Sequence, residues 1–369
     1  MKRVCKINKC LGCKACLNVC PKRAIEIRDC IEAYNAEINK EKCIDCNICH
    51  KVCPNNTLNN LMPPIFWKQG WSNDYSIRKG ASSGGAASSL ITSFIEDGGY
   101  VASCVFENGV FGFKITNDYE VARRFAGSKY VKSDPGEIYS AIKEKLKEDQ
   151  AVLFIGLPCQ VAALKNICGN DDRLYTVDLI CHGTPSPKLL IKYVSELGYE
   201  WQEIKDIKFR NNNRYGITID GNKLTPQRVP DSYTRAFLSS VDYTENCYSC
   251  RYATLNRVSD ITLGDAWGQL SQSERDGASL ILCQTHKGIS LVNKANMHLE
   301  DLDLDKAVAI NHQLRHPPEK HPRREKFLYA INKGRSFRLA TAMALPKASV
   351  KQCLKVGLIK LKVMKDRPA

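Results

Sequence analysis

A chain of 369 residues with 43% hydrophobic and 25% charged residues has the composition of an ordinary globular protein, with room for two or three domains. No apolar run approaches the roughly 20 residues that a membrane-spanning helix needs, which argues against a transmembrane protein. The net charge is +15, but residues 315–369 contain 15 Lys or Arg and three acidic residues, so +12 belongs to the tail. The remaining +3 is weak support for nucleic-acid binding by the main body, and we expect none.

Cysteine is the most informative residue type in this chain. Eighteen cysteines are too many to be incidental, and disulfides are rare in the cytosol, so the thiols indicate a reducing compartment. The first residues, Met1 to Cys5, contain no apolar stretch of the kind found in a signal peptide. We therefore expect a cytoplasmic protein, at most peripheral at the inner face of a membrane.

Eight of the cysteines form two copies of one spacing, Cys-x-x-Cys-x-x-Cys-x-x-x-Cys-Pro, offset by 33 residues (Cys10 to Cys43). The copies are Cys10, Cys13, Cys16 and Cys20 before Pro21, and Cys43, Cys46, Cys49 and Cys53 before Pro54. Bacterial ferredoxins with two 4Fe-4S clusters have this spacing, because three close thiolates hold one cubane and the cysteine before proline reaches the other. The predicted ligand sets are Cys10, Cys13, Cys16 and Cys53, and Cys43, Cys46, Cys49 and Cys20.

Zinc is the alternative for these cysteines, since Cys-x-x-Cys pairs also bind zinc. A zinc site requires neither a third cysteine at the same spacing nor the trailing Cys-Pro, so the spacing favours iron–sulfur clusters. Cys5 and Cys30 lie outside both copies, and we expect them to pack as small apolar residues. His50 is expected at the surface.

The ferredoxin-like unit is predicted to end near residue 62. Residues 24–27 alternate like a short strand, and Met62-Pro63-Pro64 interrupts regular structure. The expected domains are residues 1–62 (ferredoxin-like), 63–150 and 151–314 (the two parts of a larger domain), and 315–369 (a basic tail).

A Ser/Gly loop precedes the first long helix predicted in the larger domain. Residues 78–85 read Arg-Lys-Gly-Ala-Ser-Ser-Gly-Gly, and a helix is predicted from Ala86 to Glu96. Small residues let backbone N–H groups approach an anion at a helix N-terminus, which suits a flavin pyrophosphate or a reduced flavin ring. A loop that only caps the helix has the same pattern. Further on, Tyr100 to Thr116 predicts a hairpin, and residues 127–134 fit either phosphate binding or a solvated turn.

From residue 151 the pattern becomes α/β. A buried strand at 151–155 leads to Cys159 and a helix near Gln160, and a second strand at 175–180 leads to Cys181. In open α/β sheets, sites collect at the carboxyl ends of strands, where both cysteines lie. A Cys-x-x-Cys pair, Cys247 and Cys250, follows. A further strand from Ser259 is predicted to enter a Gly-Asp turn that ends at Gly268.

Cys159, Cys181, Cys247 and Cys250 together could complete either a third 4Fe-4S cluster or a structural zinc site. The four remaining cysteines are expected to be small buried residues; they are Cys104, Cys168, Cys283 and Cys353. His182, next to Cys181, is a weaker candidate for the wall of an active site.

Several of these motifs, in this order, resemble the beta-subunit family of coenzyme F420 hydrogenases and dehydrogenases, fused to a dicluster ferredoxin. The resemblance covers about residues 1–330. It rests on Ser82-Ser83-Gly84-Gly85, Gly127-Ser128-Lys129-Tyr130, Gly156-Leu157-Pro158-Cys159-Gln160, Asp178 to Ser186, Cys247-x-x-Cys250 and Gly264-Asp265-x-Trp267-Gly268. Ala81 departs from the family, which has a serine there.

The resemblance implies an α+β and α/β multidomain fold, with a mixed α/β flavin-binding domain after the ferredoxin-like domain. It implies FAD near the two loops, with Ser82, Ser83, Gly84, Gly85, Ser128 and Lys129 as binding residues. It also implies that Cys159, Cys181, Cys247 and Cys250 ligate iron–sulfur. Relatives exchange a hydride with the deazaflavin F420, reduce a hydroxymethyl chlorophyll, or are associated with bacterial polysaccharide biosynthesis.

The leading hypothesis is an oxidoreductase that moves electrons between a ferredoxin-type donor and a small two-electron acceptor, with the deazaflavin as one candidate. Clusters carry single electrons, and flavin converts them to a hydride. Lys129, Lys132, Arg210 and Asp265 are candidates for binding flavin phosphate or an acidic acceptor. Two alternatives remain: an electron-transfer subunit that feeds a partner enzyme without its own substrate, and a metal-stabilised interaction protein.

The tail predicts one more element. From Ser349 to Lys365, apolar residues recur at helical spacing among lysines; they are Val350, Leu354, Leu358 and Leu361. Such a basic amphipathic helix can lie on an anionic membrane or dock on an acidic partner such as a ferredoxin. A solvated helix is the simpler alternative.

Overall fold

The computed structural model describes residues 2–211, 214–226, 229–267 and 277–361. Its strands are β1 (Lys2–Arg3), β2 (Ile25–Asp29), β3 (Tyr34–Ile38), β4 (Phe66–Ser72), β5 (Tyr100–Glu107), β6 (Val110–Thr116), β7 (Val152–Gly156), β8 (Leu174–Leu179), β9 (Ile207–Asn211), β10 (Arg214–Ile219), β11 (Asn222–Lys223), β12 (Ile261–Asp265), β13 (Ser279–Cys283) and β14 (Met297–Glu300). Its helices are α1 (Ala15–Asn18), α2 (Ile48–Lys51), α3 (Tyr75–Gly80), α4 (Ala86–Glu96), α5 (Tyr119–Ala122), α6 (Ile138–Lys147), α7 (Pro158–Cys168), α8 (Pro187–Ser195), α9 (Ser232–Leu238), α10 (His286–Lys294), α11 (Leu304–Ile310), α12 (Arg324–Asn332), α13 (Phe337–Ala344) and α14 (Pro346–Lys360). Single 3-10 turns occupy Arg123–Phe125, Trp201–Glu203, Glu245–Ser249 and His312–Leu314.

The largest sheet of the described chain has the strand order β14-β4-β13-β12-β8-β7-β5-β6. β5, β7, β8 and β12 run parallel, and the strands on either side of this group pair antiparallel. The carboxyl ends of the parallel strands therefore share one edge, the usual position of sites in such sheets. The chain leaves β7 towards Cys159, β8 towards Cys181 and β12 towards Trp267 at this edge.

Alternate side chains of the central strands enter two different cores. Val152 and Phe154 of β7 pack with α6 and α7 on one face, while Leu153 and Ile155 pack with α4 and α10 on the other. Since side chains of a strand alternate between faces, a strand covered on both sides is apolar throughout. This explains the uninterrupted apolar run at 151–155, and the sheet is the middle layer of a mixed α/β domain.

A second sheet, β11-β10-β9, lies against the helices of the C-terminal part. Phe209 of β9, Tyr233 of α9 and Phe337 of α13 meet in one fully buried cluster, with further residues from α8 and α12. This cluster supports β9 and α9, whose carboxyl ends face the candidate site.

The N-terminal unit contains the sheet β1-β3-β2 and two single-turn helices, α1 and α2. The residues before these helices adopt the left-handed conformation in both copies, with φ of 57° at Lys14 and 58° at Asn47. Gly12 and Asp45, one repeat apart, share it too, at 63° and 53°. The duplication visible in the cysteine spacing is therefore also present in the backbone.

The N-terminal unit is packed onto the larger domain rather than suspended from a linker. Leu11, Cys13, Ala15 and Val52 lie in the same buried cluster as α6 and α7. The Asn18 Nδ2 donates to the Gly136 carbonyl at 2.8 Å across the junction. The first cysteine copy therefore lies at the junction.

The segment after the ferredoxin-like unit is fixed by Arg257. Met62 and Arg257 exchange two backbone hydrogen bonds, both of 2.8 Å. The buried Arg257 guanidinium forms an ion pair with Asp178 of β8 at 3.0 Å and donates to the carbonyls of Tyr252 and Leu179. One residue thus joins the end of the N-terminal unit, the strand before Cys181 and the segment after Cys250.

Most predicted elements are confirmed. The helix from Ala86 to Glu96 has the predicted bounds, the hairpin forms β5 and β6, and the tail helix begins at Pro346 rather than Ser349. The sequence reading missed β4, which pairs between β13 and β14. Gly268 and the tail beyond Leu361, including Lys362 and Lys365, lie outside the described residues. Within those residues, no helix combines the length and apolar character needed to cross a membrane.

Candidate electron-transfer site

The cysteines of the second copy line a cavity together with the last cysteine of the first copy. Cys43, Cys46, Cys49 and Cys20 all border this cavity, as do Lys2 and Lys22. Cys46 is exposed and the other three thiols are half-buried. We call these four the outer set. The same four residues form one of the two ligand sets predicted from the sequence, in which the fourth cysteine of each copy binds the cluster of the other copy. This ligand assignment stays a prediction.

The other N-terminal set, Cys10, Cys13, Cys16 and Cys53, is buried. We call it the middle set. Cys10, Cys16 and Cys53 pack in the core of the N-terminal unit, while Cys13 belongs to the core of the α/β domain. Cys5 packs beside this set, as predicted, but Cys30 and Cys353 are exposed, so the prediction that they pack as small buried residues is wrong.

The four cysteines of the larger domain converge from separate elements. Cys159 lies in the first turn of α7, Cys181 follows β8, and Cys247 and Cys250 lie in and just after a 3-10 turn. All four line one small cavity, and we call them the inner set. A thiolate in the first turn of a helix is stabilised by the helix dipole and the free N–H groups there.

Three polar groups surround the sulfur of Cys247. The Thr244 and Thr184 hydroxyls lie 3.6 and 3.7 Å from Sγ, and the Asn246 Nδ2 donates to it at 3.6 Å. Hydrogen bonds to ligand sulfurs stabilise the thiolate and tune a cluster. The surroundings of Cys247 therefore fit a metal-bound thiolate better than a thiol packed as an apolar residue.

Lys132 places a positive charge at the inner set. Its side chain is buried, its Nζ donates to the Leu11 carbonyl at 3.0 Å, and it lines the same cavity as the four thiols. Burial alone would lower the pKa of Lys132, but Cys159, Cys247, Cys181 and Cys13 raise it above its ordinary value. A buried ammonium requires nearby negative charge, so the cavity suits an anionic group such as a thiolate-bound cluster.

Burial favours the neutral form of the inner thiols unless a cation is bound to them. Burial raises the pKa of Cys250 to about 12 and also raises the pKa values of Cys159 and Cys181. A bound cation overrides such a shift, since a coordinating thiol is deprotonated outright. Within the described ranges, no three His, Cys, Asp or Glu side chains converge on a point that would hold a single metal ion. In a cubane, by contrast, each thiolate binds a different iron.

The middle set shares buried clusters with Cys43 and Cys49 of the outer set and with Cys159 and Cys250 of the inner set. Burial raises the pKa of Cys16 in the middle set, and the thiols Cys13, Cys53 and Cys49 raise it further; Cys49 belongs to the outer set. Burial raises the pKa of Cys13 to about 12, with smaller contributions from Cys53 and from Cys159 of the inner set. The middle set is thus close enough to both other sets for their cysteines to shift the pKa values of its thiols.

A larger cavity of about 240 Å³ lies beyond the inner set, at the carboxyl edge of the sheet. Cys181, His182, Gly183 and Thr184 border both cavities. Among the predicted cofactor-binding residues, Ser82, Ser83, Gly85, Ser128 and Lys129 line the large cavity, and so does Ala81. The structure therefore places both loops named from the sequence at one pocket, next to the inner set.

The serine hydroxyls hold this pocket together. The Ser128 backbone N–H donates to Ser82 Oγ at 2.8 Å, which joins the two loops, and Ser83 Oγ donates to the Ala278 carbonyl at 2.7 Å. The Lys129 ammonium donates to the carbonyls of Phe125 and Ala126. These polar side chains are engaged within the protein, so a bound anion would meet mainly backbone N–H groups at the start of α4.

The two glycines of the loop differ in position. Gly85 has φ +88°, a conformation that favours glycine, and lines the pocket. A Cβ on Gly84 would lie 2.4 Å from the Gly70 carbonyl oxygen and 2.6 Å from the Ser279 nitrogen. Gly84 therefore allows the loop to pack on β4 and β13, which is a structural reason for a glycine that the sequence suggested for cofactor binding.

The far wall of the pocket is charged and aromatic. Arg210 Nη1 and Asp265 Oδ2 form an ion pair of 2.8 Å in which the arginine side chain is only 2% exposed. The Arg210 guanidinium also lies over the rings of Tyr215 and Trp267. Burial lowers the pKa of His182 to about 4, with smaller contributions from His312 and Arg210, so its imidazole is neutral at pH 7.

Two family models match the chain. Residues 149–306 match the family described as the C terminus of the coenzyme F420 hydrogenase/dehydrogenase beta subunit. Residues 9–57 match the 4Fe-4S dicluster domain. The chain thus has a region similar to the 4Fe-4S dicluster domain, followed by a region similar to the C terminus of the F420 hydrogenase/dehydrogenase beta subunit. This confirms the resemblance seen in the motifs, and the chain is an iron–sulfur electron-transfer protein similar to F420 hydrogenase beta subunits.

Among solved structures, the F420-reducing nickel–iron hydrogenase complex from Methanosarcina barkeri contains a similar chain. The identity is 19%, the match covers 75% of this chain and 96% of that chain, and the TM-score is 0.48. No curated protein sequence matches the chain.

The sequence reading missed the groups between the cysteines. Lys132 was a candidate for a flavin phosphate or an acidic acceptor, but the structure places it at the inner set. Thr184 lies in the Asp178 to Ser186 motif but had no assigned role, and Thr244 and Asn246 lie in no motif, although all three are within three residues of an inner cysteine. His50 lines the cavity of the outer set, half-buried rather than fully at the surface.

Proposed function

We propose that this chain is an iron–sulfur flavoprotein oxidoreductase. In this proposal it takes single electrons from a ferredoxin-type protein at the outer set and delivers them in pairs to a small acceptor in the large pocket. The observation that carries the proposal is the position of Cys181, which borders both the inner thiol cavity and the large pocket. An electron at the inner set would therefore be next to whatever the pocket binds.

The arrangement of thiols supports three 4Fe-4S clusters in series. The outer set includes an exposed cysteine, as an entry point for a protein donor requires, and the middle set is buried. In the inner set, the hydroxyls and amide around Cys247 would orient one ligand, and Lys132 would offset negative charge. Solvent exposure and hydrogen bonds set cluster potentials, so these sets would differ in potential despite equal ligands.

The pocket supports FAD as the group between clusters and acceptor. When bound, FAD would supply the conversion between single electrons and a hydride. The start of α4, with Gly85 before it, would bind the pyrophosphate through backbone N–H groups and the helix dipole. The contact between Ser128 and Ser82 would keep the two loops in position, with Ser82, Ser83, Gly84, Gly85, Ser128 and Lys129 as the proposed loop residues.

The remaining wall residues would orient the acceptor. Arg210, held by Asp265 and stacked on Tyr215 and Trp267, offers a fixed positive charge and flat surfaces. Neutral His182 would leave the charge of the pocket unchanged at pH 7. For each acceptor molecule, two donor molecules would each lose one electron, and the acceptor would gain both electrons and a proton from solvent.

The test is anaerobic purification, followed by metal, sulfide and flavin analysis. Three clusters predict about twelve irons and twelve sulfides per chain. Bound FAD and reduction of a small acceptor by reduced ferredoxin would support the full proposal, and the acceptor panel should include coenzyme F420. About eight irons with zinc present would remove the inner cluster.

The same experiment separates the proposal from an electron-transfer subunit without its own substrate. Such a subunit would contain the clusters and accept electrons from ferredoxin, but it would bind no flavin and reduce no small molecule. The cavity of about 240 Å³ beside the inner set favours the enzyme, since a pure relay needs no pocket of this size.

A further inference from the structure

The tail helix α14 has two apolar faces, and only one of them is packed. Ser349 accepts from Arg235 Nη1 at 2.8 Å, and Gln352 Nε2 donates to the Pro230 carbonyl at 2.7 Å, so this side rests on and beside α9. Val356 and Ile359, on the same side by helical spacing, are half-buried. This packing fixes the orientation of the helix.

The opposite side is an exposed aliphatic stripe. Val350, Leu354, Leu358 and Leu361 are 60%, 64%, 42% and 74% exposed. At 100° per residue these four fall within an arc of about 80°, so they form one continuous band along the helix. Single exposed apolar side chains are common on protein surfaces, but a contiguous band marks an interaction site.

The charge of the helix is of one sign. From Lys347 to Lys365 the sequence contains six lysines, and the first acidic residue after Glu325 is Asp366. Lys347 and Lys351 are exposed and lie along or beside the aliphatic stripe by helical spacing. Lysines beside an apolar stripe can bury their methylene stems in a lipid interface and keep the ammonium at the headgroups.

We propose that α14 binds the surface of an anionic lipid bilayer. The stripe would enter the boundary between headgroups and acyl chains, and the lysines would pair with anionic headgroups. A bilayer fits better than a protein partner, because a helix-binding protein offers a groove, and the packed side of α14 already rests on its own domain. This attachment is independent of the proposed redox chemistry.

The test is flotation of the full chain with vesicles of phosphatidylcholine alone or mixed with phosphatidylglycerol. We expect flotation with the anionic vesicles, weaker binding to the neutral ones, and release by high salt. Leu354→Asn with Leu358→Asn should lower the partition coefficient about tenfold or more, because two aliphatic side chains leave the interface. Lys347→Gln with Lys351→Gln should reduce the preference for anionic lipid.

The matched control replaces two exposed leucines elsewhere, Leu58→Asn with Leu238→Asn, and should leave flotation unchanged. Circular dichroism of each variant checks that the fold is intact. The proposal is overturned if the chain does not float with anionic vesicles, if the stripe variant floats as well as the control, or if the stripe variant instead loses binding only to an acidic protein.

Discussion

The two copies of the cysteine motif have the same local backbone and opposite surroundings. In the first copy, Cys13 and Leu11 are buried against the α/β domain. In the second copy, Cys46 faces solvent, and Ile44 and Ile48 beside it are 57% and 40% exposed. Equal spacing predicts equal clusters, but solvent exposure and nearby charge set their potentials.

The difference indicates separate roles for the two copies. An exposed thiol flanked by apolar side chains suits contact with a donor protein, while a buried thiol near Cys159 of the inner set suits transfer inward. The motif predicts where clusters can form. The packing of the two copies suggests which cluster faces a donor protein and which faces the inner set. Variants at the two copies and at the inner set test this difference.

Removing one thiol at either end of the series should block transfer at different points. Cys46→Ala and Cys159→Ala should each lower reduction of the acceptor by ferredoxin by more than about 100-fold, above the 10–100-fold typical of changes near, rather than at, metal ligands. In Cys46→Ala no centre should be reduced rapidly by the donor. In Cys159→Ala the outer and middle clusters should be reduced while the acceptor is not.

Stopped-flow absorbance and electron paramagnetic resonance would separate these outcomes, and iron should fall from about twelve to about eight per chain in each variant. Cys353→Ala, a change at an exposed cysteine of the tail, is the control and should behave like the parent. Identical reduction patterns in the two ligand variants would contradict the proposed order of the sets.

Lys132→Met should lower the midpoint potential of the inner cluster. A unit charge roughly 5–7 Å away contributes about 2–3 kcal/mol at an effective dielectric constant near 20, which is on the order of 100 mV for one electron. The sign follows because the positive charge favours the reduced, more negative cluster. A redox titration followed by electron paramagnetic resonance measures the shift.

Lys22→Met is the matched control, since exposed Lys22 borders the outer cavity. Its charge is screened by solvent, so the shift at the outer cluster should be much smaller. If the midpoint potential of the outer cluster shifted as much as that of the inner cluster, the burial of Lys132 would not explain its larger effect.

The smallest effect concerns the shared backbone conformation. Gly12→Ala should destabilise the protein by about 1–2 kcal/mol, because φ is +63° and the new methyl would touch the Tyr34 ring at 3.4 Å. Asp45→Gly, at the matching exposed position, should change stability little. It removes a residue with positive φ and loses a surface ion pair with Lys2 and a contact with the Cys43 thiol. Thermal unfolding of the two variants compares the copies directly, and equal losses would contradict the difference in packing.

The sequence was most informative where spacing along the chain encodes the chemistry. The eight N-terminal cysteines could be grouped because neighbours in the motif are neighbours in space. The inner set was named from strand ends and the family resemblance rather than from spacing, since Cys159, Cys181 and Cys247 come from three separate elements that only the tertiary structure brings together. The Ser/Gly loop lies at a pocket, but the roles of its side chains were not evident from the sequence.

Other features were not predictable from local pattern. Buried and exposed residues alternate along only part of β4, which also contains Gly70, so the local sequence did not predict a strand. Its position between β13 and β14 depends on tertiary packing. Lys132 lies in a polar stretch that equally suits a solvated turn. Its burial depends on the Leu11 carbonyl, which is distant in sequence and comes close only when the two domains are packed.

The position of Arg257 has a consequence for kinetics. This residue holds the segment after the ferredoxin-like unit, the strand that leads to Cys181 and the turn after Cys250 through buried hydrogen bonds. The spacing between middle and inner sets is therefore set by a rigid polar junction and not by a swinging linker. Electron transfer inside the chain should accordingly be insensitive to solvent viscosity, whereas the encounter with a protein donor at the outer set should slow as viscosity rises.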